Sequence, residues 1–184
     1  FKKVEYSVNF FYHHIQNYIY SYQLVGFSQM TIGAYGLKTY KNIDYATSQG
    51  FEANLKAKIT SQMSYIATAK YIYAQTNEGT PLPLISPFKL QHALRYNYKL
   101  FQFQFEHDYA ATQSRINSDY GDKITPYFNL FNFRASRNVR IKSTVLQLTV
   151  ACENIFDANY REHLDIGGVP RFGRNFLMNL SFIF

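Results

Sequence analysis

The sequence predicts an all-β protein: an antiparallel up-and-down sheet of about eight strands that crosses a membrane as a segment of a β-barrel. Three observations support this. Apolar and polar residues alternate in segments of about ten residues, the length that membrane-spanning strands need. The connections alternate between long and short, as they do at the two ends of such a barrel. The 184 residues include 17 Tyr and 17 Phe but no Trp, and barrels carry aromatic girdles at both membrane interfaces.

Each predicted strand has one apolar and one polar face, because successive side chains of a strand point to opposite sides. We expect the apolar faces to meet lipid and the polar faces, with Glu52 among them, to line the barrel interior. The predicted strands cover residues 4–12, 51–59, 65–73, 90–98, 101–109, 131–135 and 146–153, followed by the strand that ends the sequence.

The predicted connections sort by length onto two ends of the sheet. Long ones cover residues 21–35, 77–87, 114–125 and 156–171, and short ones cover residues 60–62, 99–100 and 136–142. Outer-membrane barrels place short turns on the periplasmic side and long loops outside the cell.

Composition narrows the function classes. The formal net charge is +7, but the basic residues are scattered, which argues against a nucleic-acid patch. The single cysteine, Cys152, can form no disulfide within the chain. Ser, His and Asp occur in no catalytic motif, so we expect neither an enzyme nor a cofactor.

Two other architectures fit part of the pattern. A soluble β-sandwich also alternates, but it has shorter strands. Eight strands can also close into a small free-standing barrel, which would act as an adhesin or a structural membrane protein.

Several stretches, in order, resemble the C-terminal part of the barrel of TonB-dependent outer-membrane receptors. They are "YKNIDYATSQGFEANLKAKI", "PLPLISPFKLQHALRY", "ENIFDANYREHL" and "GRNFLMNLSFIF". The residues that carry the family's motifs are Asn42, Gly50, Glu52, Asn154, Phe156, Asp157, Tyr160, Gly173 and Arg174.

The resemblance implies the last part of a barrel of about 22 strands in a bacterial outer membrane. Residues 1–184 would be that C-terminal segment, with the family's plug domain and signal peptide absent from this chain. The implied function is TonB-dependent uptake of a scarce ligand such as an iron-siderophore, haem, cobalamin or another metal chelate. The implied partners are outer-membrane lipid and lipopolysaccharide, the barrel-assembly machinery, and the TonB complex through the missing N-terminal part.

The resemblance also implies a role for the end of the chain. The apolar set that runs to the last residue looks like the family's signal for barrel assembly. Its members are Phe176, Met178, Leu180, Phe182 and Phe184.

The last long loop is the best candidate for ligand contact. Arg161, His163, Asp165 and Arg171 cluster there, and the two arginines could pair with an anionic chelate. By contrast, Asn154 and Asp157 suit a strand-to-loop turn, where Asn and Asp bond locally to the backbone.

One register is also predicted. If Lys99 and Leu100 form a two-residue turn, His92 faces His107 on the apolar face, and Arg95 lies diagonally from Glu106, close enough for an ion pair. We expect the two imidazoles to be neutral and hydrogen-bonded. A two-histidine metal site and a bulge that turns one histidine inward remain as alternatives.

Overall fold

The computed structural model describes residues 3–24, 26–27, 37–141 and 144–183. Within these ranges, eight antiparallel strands form one sheet in chain order, so the predicted all-β up-and-down fold is confirmed. The strands are β1 Val4–Leu24, β2 Leu37–Lys58, β3 Met63–Thr76, β4 Lys89–Tyr98, β5 Phe101–Ala110, β6 Phe128–Ile141, β7 Thr144–Glu153 and β8 Asn175–Ile183.

The register joins the predicted apolar faces into one continuous surface. Leu55 pairs with Ala67, Ala67 with His92, and His92 with His107, which in turn pairs with Phe131. A slip of one residue would move a whole strand's apolar set to the polar side. The alternation therefore fixes the register wherever one face meets lipid.

The long connections lie at one end of the sheet. Residues 77–88, 111–127 and 154–174 connect β3 to β4, β5 to β6 and β7 to β8, while residues 59–62 and 99–100 make short turns at the other end. The short turn at 99–100 has Lys99 at a φ of 52°, as the tight turns of hairpins require.

Two strands extend further than the sequence predicts. β1 continues to Leu24 and β2 begins at Leu37, so part of the expected 21–35 loop belongs to this hairpin, and residues 28–36 lie outside the described residues. β6 runs to Ile141 through residues expected to form a connection. Arg137, within that stretch, lies on the apolar face, with its guanidinium 5.2 Å from the ring centroid of Phe101. Its apolar stem can cover that face while the charge stays at the edge.

Across the described residues, β1 and β8 each pair with one neighbouring strand, so the sheet is open at both sides. No described helix is long and apolar enough to cross a membrane.

Candidate ligand-binding cleft and the loops around it

The polar face of the sheet and the last long loop enclose a cleft of about 810 Å³. Its floor is formed by β4 to β8, and its rim by residues of the 154–174 loop. The charged lining residues are Glu106, Asp108, Arg134, Glu153, Asp165 and Arg171.

An arginine on β6 joins three strands at the floor. The Nε of Arg134 donates to Oε1 of Glu106 at 2.9 Å, and its Nη2 donates to Oε1 of Glu153 at 2.7 Å. The expected ion pair between Arg95 and Glu106 is not what the structure shows. Arg95 donates to Oε1 of Gln104 at 2.9 Å, and Gln104 donates to Glu106 at 2.6 Å. Arg134, one strand further on, is thus the ionic partner of Glu106.

Asp108 is held differently from the other acids of the floor. Its Oδ1 accepts a hydrogen bond from Nε2 of Gln91 at 3.0 Å, and its Oδ2 accepts one from Nδ2 of Asn132 at 3.1 Å. Both donors are neutral amides. No ion pair reaches this carboxylate from any described residue.

Asn154 begins the long loop. It is buried, with a φ of 50°, a left-handed conformation that Asn tolerates better than most residues. Its Oδ1 accepts from the Ala158 amide and its Nδ2 donates to the Ala158 carbonyl, both at 2.8 Å. Its own amide donates to Oδ1 of Asn132 at 2.8 Å. The side chain of Asn154 therefore fixes the first turn of the loop, and its backbone amide joins the loop to β6.

Gly173 and Arg174, the Gly-Arg motif, join the end of the 154–174 loop to its first residues. The amide of Arg174 donates to Oδ1 of Asp157 at 2.7 Å, and its Nε donates to the carbonyl of Ile155 at 2.8 Å. A Cβ at Gly173 would overlap the Asp157 carboxylate. Asp157, Gly173 and Arg174 together form the clasp at the base of the loop.

Arg171 and Asp165 form a two-point ion pair across the loop. Nε donates to Oδ2 at 2.8 Å and Nη2 to Oδ1 at 2.7 Å. The Asp165 Oδ2 also accepts from the Glu162 amide at 2.9 Å. The guanidinium beside it lowers the pKa of Asp165 to about 2, and Asp165 raises the pKa of Arg171. Both residues line the cleft.

Arg161 and His163 instead connect the last loop to the 111–127 loop. The Nη2 of Arg161 donates to the Ile124 carbonyl at 3.0 Å, and its guanidinium lies where a Cβ on Gly168 would be. Nδ1 of His163 is 3.0 Å from Oγ1 of Thr125, and burial lowers the pKa of this imidazole. The four predicted contact residues thus share one loop but divide between the cleft and a neighbouring loop.

The 111–127 loop is also fixed to the 77–88 loop. Asn117 has 0% exposure; its Nδ2 donates to the Pro81 carbonyl at 2.7 Å, and its Oδ1 accepts from the Tyr120 amide at 2.8 Å. Nε2 of Gln113 donates to the Ile85 carbonyl at 2.6 Å. Three long loops therefore form one connected layer. Sequence reasoning missed these residues because their partners lie on other loops.

The rim of the cleft is apolar on one side. Val169, Pro170 and Phe172 line it, and the Phe172 side chain is 88% exposed. Tyr160 lies deeper, with its ring centroid 4.9 Å from that of Phe128, and burial raises its pKa. The cleft thus combines a charged floor with an aromatic edge.

The other motif residues lie away from the cleft. A Cβ at Gly50 would overlap the Tyr71 carbonyl and come within 2.7 Å of the Phe11 ring, so only glycine lets this ring cover the strand. Glu52 lies on the polar face opposite Lys70, and Asn42 is exposed opposite Ile19.

The end of the chain keeps its predicted pattern as far as the structure describes it. Phe176, Met178, Leu180 and Phe182 are exposed on the apolar face. Phe156 joins this lipid-facing surface, 5.3 Å from Phe131 between ring centroids. Phe184 lies outside the described residues.

The predicted histidine register is confirmed. His92 pairs with His107, and their Nε2 and Nδ1 atoms are 2.8 Å apart. The unbroken pairing on both sides excludes the bulge. His107 Nε2 is also 2.9 Å from Oδ1 of Asn129. In the part of the chain that the structure describes, no group of three or more His, Cys, Asp or Glu residues could hold a metal ion.

A lipid-facing apolar surface, a polar interior and long loops at one end define an outer-membrane barrel wall. A family model described as "TonB dependent receptor-like, beta-barrel" matches residues 1–155. The chain therefore belongs to the TonB-dependent receptor-like β-barrel family, whose members lie in the outer membrane of Gram-negative bacteria.

One solved structure with the same fold is the copper transporter OprC. It matches with a TM-score of 0.82 and 21% identity over 97% of this chain. The chain spans 28% of the length of OprC. No curated protein matches the chain.

Proposed function

We propose that this chain is the C-terminal wall of a TonB-dependent receptor, and that it supplies part of the binding surface for a scarce ligand taken up across the outer membrane. Its partners would be TonB, reached through an N-terminal part of the parent protein, and the ligand. The family match over residues 1–155 carries this proposal. The open edges of β1 and β8 among the described strands support it, because unpaired strand edges are costly in lipid.

The connected loops support a binding role at the outer end. The loops at 77–88, 111–127 and 154–174 hold one another through hydrogen bonds, so a ligand would meet a surface that is already formed. Preorganised surfaces lose less entropy on binding. Arg171 and Asp165 lie at the cleft and would contact the ligand, whereas Arg161 and His163 would keep the loop in place. Iron-siderophore, haem, cobalamin and other metal chelates are the candidate ligands. The proposal includes no catalytic step.

Growth under nutrient limitation tests the transport role. The gene for the parent protein would be deleted and restored in cells limited in turn for iron, haem, cobalamin and copper, with and without a functional TonB. We expect one limitation to reveal a growth defect in the deletion strain that is no larger than the defect caused by loss of TonB. If restored growth does not depend on TonB, the proposal is wrong.

A matched pair of variants tests the cleft. Arg171→Gln removes a cleft guanidinium, and Arg140→Gln makes the same change on β6 near the opposite end of the sheet. The first should change the ligand concentration needed for half-maximal growth, and the second should leave it unchanged. Equal effects would exclude the cleft as the binding surface.

We also propose that the terminal apolar set is read by the barrel-assembly machinery, in a membrane of lipid and lipopolysaccharide. Deleting Phe184 from the parent protein should lower the amount of heat-modifiable barrel in outer membranes. Exchanging Phe184 for Tyr, which keeps the aromatic ring, is the control. Equal assembly of all three proteins would contradict this role.

A further inference from the structure

We infer that the cleft holds a subsite for an organic cation, an ammonium or guanidinium group attached to an apolar moiety, with Asp108 as the charged partner and Phe172 as the apolar contact. This inference rests on the proposed uptake function and names the charge class of the group that this wall would recognise.

The residues that line the cleft carry a net negative charge. The cleft lining holds four carboxylates, Glu106, Asp108, Glu153 and Asp165, against the two guanidinium groups of Arg134 and Arg171. This leaves a formal excess of two negative charges around a cleft of about 810 Å³. A net negative lining attracts ligands of the opposite sign.

The two guanidinium groups of the cleft are already paired with carboxylates. Arg134 already bridges Glu106 and Glu153, and Arg171 already pairs with Asp165 through two hydrogen bonds. An anionic ligand would have to break one of these pairs to find a cation. The cleft therefore offers no free positive charge of its own to an anion.

The carboxylate of Asp108 can accept further hydrogen bonds. Its two oxygens each accept one hydrogen bond, both from neutral amides, which orient the carboxylate without neutralising it. A carboxylate has about four acceptor positions, so two remain for a further donor. Metal ions fit less well: hard cations require several oxygen ligands, and the described residues hold no group of three metal-ligating side chains.

The rim of the cleft offers apolar contacts. Phe172 is 88% exposed and Val169 is 65% exposed, and both line the same cleft as Asp108. An aromatic ring in the same cleft as an unpaired carboxylate suits a cation that carries an apolar group, because an aromatic ring attracts a cation and can cover its apolar part.

Binding of a small aromatic amine to the purified full-length receptor in detergent tests the subsite. The probes are phenethylammonium, neutral phenethyl alcohol and anionic phenylacetate, measured by saturation-transfer NMR. The ammonium should bind at least about fivefold tighter than the alcohol, since hydrogen bonds to charged groups are stronger than neutral ones. The phenylacetate should bind weakest. Raising the salt concentration should reduce the preference for the ammonium.

The variants locate the effect. Asp108→Asn should remove most of the preference for the ammonium, and Asp44→Asn, the same change at an exposed position of β2 outside the cleft, should leave it intact. Phe172→Leu should weaken all probes that carry a ring. The inference is overturned if Asp108→Asn keeps the preference, if it and Asp44→Asn act alike, or if phenylacetate binds best.

This outcome is independent of the growth experiment. TonB-dependent growth without any Asp108-dependent preference would leave the uptake function standing and remove the cation subsite. An Asp108-dependent preference in a receptor whose growth phenotype does not depend on TonB would leave the cation subsite standing and remove the proposed uptake function. If Asp108→Asn instead unfolds the receptor, Asp108→Glu restores the charge, and recovery of folding without recovery of the preference counts against the subsite.

Discussion

Replacement of Asn154 by Ala should loosen the first turn of the 154–174 loop. The side chain makes two hydrogen bonds of 2.8 Å with the Ala158 backbone, and the residue is only 4% exposed. Each neutral hydrogen bond contributes about 1 kcal/mol. The φ of 50° costs an alanine about 1 kcal/mol more than an asparagine. Together these amount to about 3 kcal/mol, which is a change of roughly a hundredfold in the equilibrium for opening the loop.

A second substitution at position 154 separates the contribution of the hydrogen bonds from that of the backbone conformation, and a change at Asn42 serves as the control. Asn154→Gly loses the hydrogen bonds but adopts the positive φ without strain, so it should open the loop by about 2 kcal/mol, or roughly thirtyfold. Asn42→Ala, a change at an exposed asparagine of β2, should change loop opening by less than about 0.5 kcal/mol.

Hydrogen exchange followed by mass spectrometry on the full-length receptor measures the opening directly. Amides of the 154–174 loop should lose protection in the order Ala, Gly, wild type, while the amides of β4 and β5 stay protected. If Asn154→Ala exchanges no faster than Asn42→Ala, the hydrogen bonds do not hold the loop. If the Ala and Gly variants exchange equally fast, the free energy assigned to the positive φ of alanine at position 154 is wrong.

The remaining predictions concern the wall and one ion pair. Gly50→Ala should reduce the amount of heat-modifiable barrel, because a Cβ there overlaps the neighbouring strand's carbonyl; unchanged assembly would contradict this. The pKa of Asp165 is lowered from 3.8 to about 2, so its stabilisation of the loop is present above pH 3.8 and is lost as the pH falls through 2. Asp165→Asn should therefore abolish that part of the pH dependence of hydrogen exchange. A receptor with His92→Cys and His107→Cys should form a disulfide on oxidation, seen as a gel shift that reductant reverses, and absence of that shift would count against the register.

The strands and their register were predictable because lipid imposes a rule on every second residue. In β4 and β5 a two-residue turn and two apolar faces leave one pairing, and the structure has it. The rule weakens where the wall leaves the membrane. Residues 37–50 of β2 lack a consistent apolar face, so the long hairpin with β1 was missed. The end of β6 was missed because its last residues carry Arg137 and Arg140, followed by Lys142, and such a polar stretch resembles a turn.

The cleft was less predictable because its contacts join residues that are distant in sequence. The partner of Glu106 became visible only with the register of β5, β6 and β7 together. Asp108 looks like one more polar residue in an alternating strand until Gln91 and Asn132 are placed beside it. Asn154 was identifiable because its side chain bonds to Ala158, four residues on, whereas the side chain of Asp157 accepts from the distant Arg174 amide.

The hydrogen bonds among the three loops have a consequence for how this surface can evolve. Asn117 ties its loop to Pro81, and Arg161 ties the next loop to Ile124. A substitution that helps the receptor evade a phage or an antibody at one loop would disturb its neighbours as well. Compensating changes should then accumulate in pairs across loops, so the outer surface would diversify as a set of matched segments rather than loop by loop.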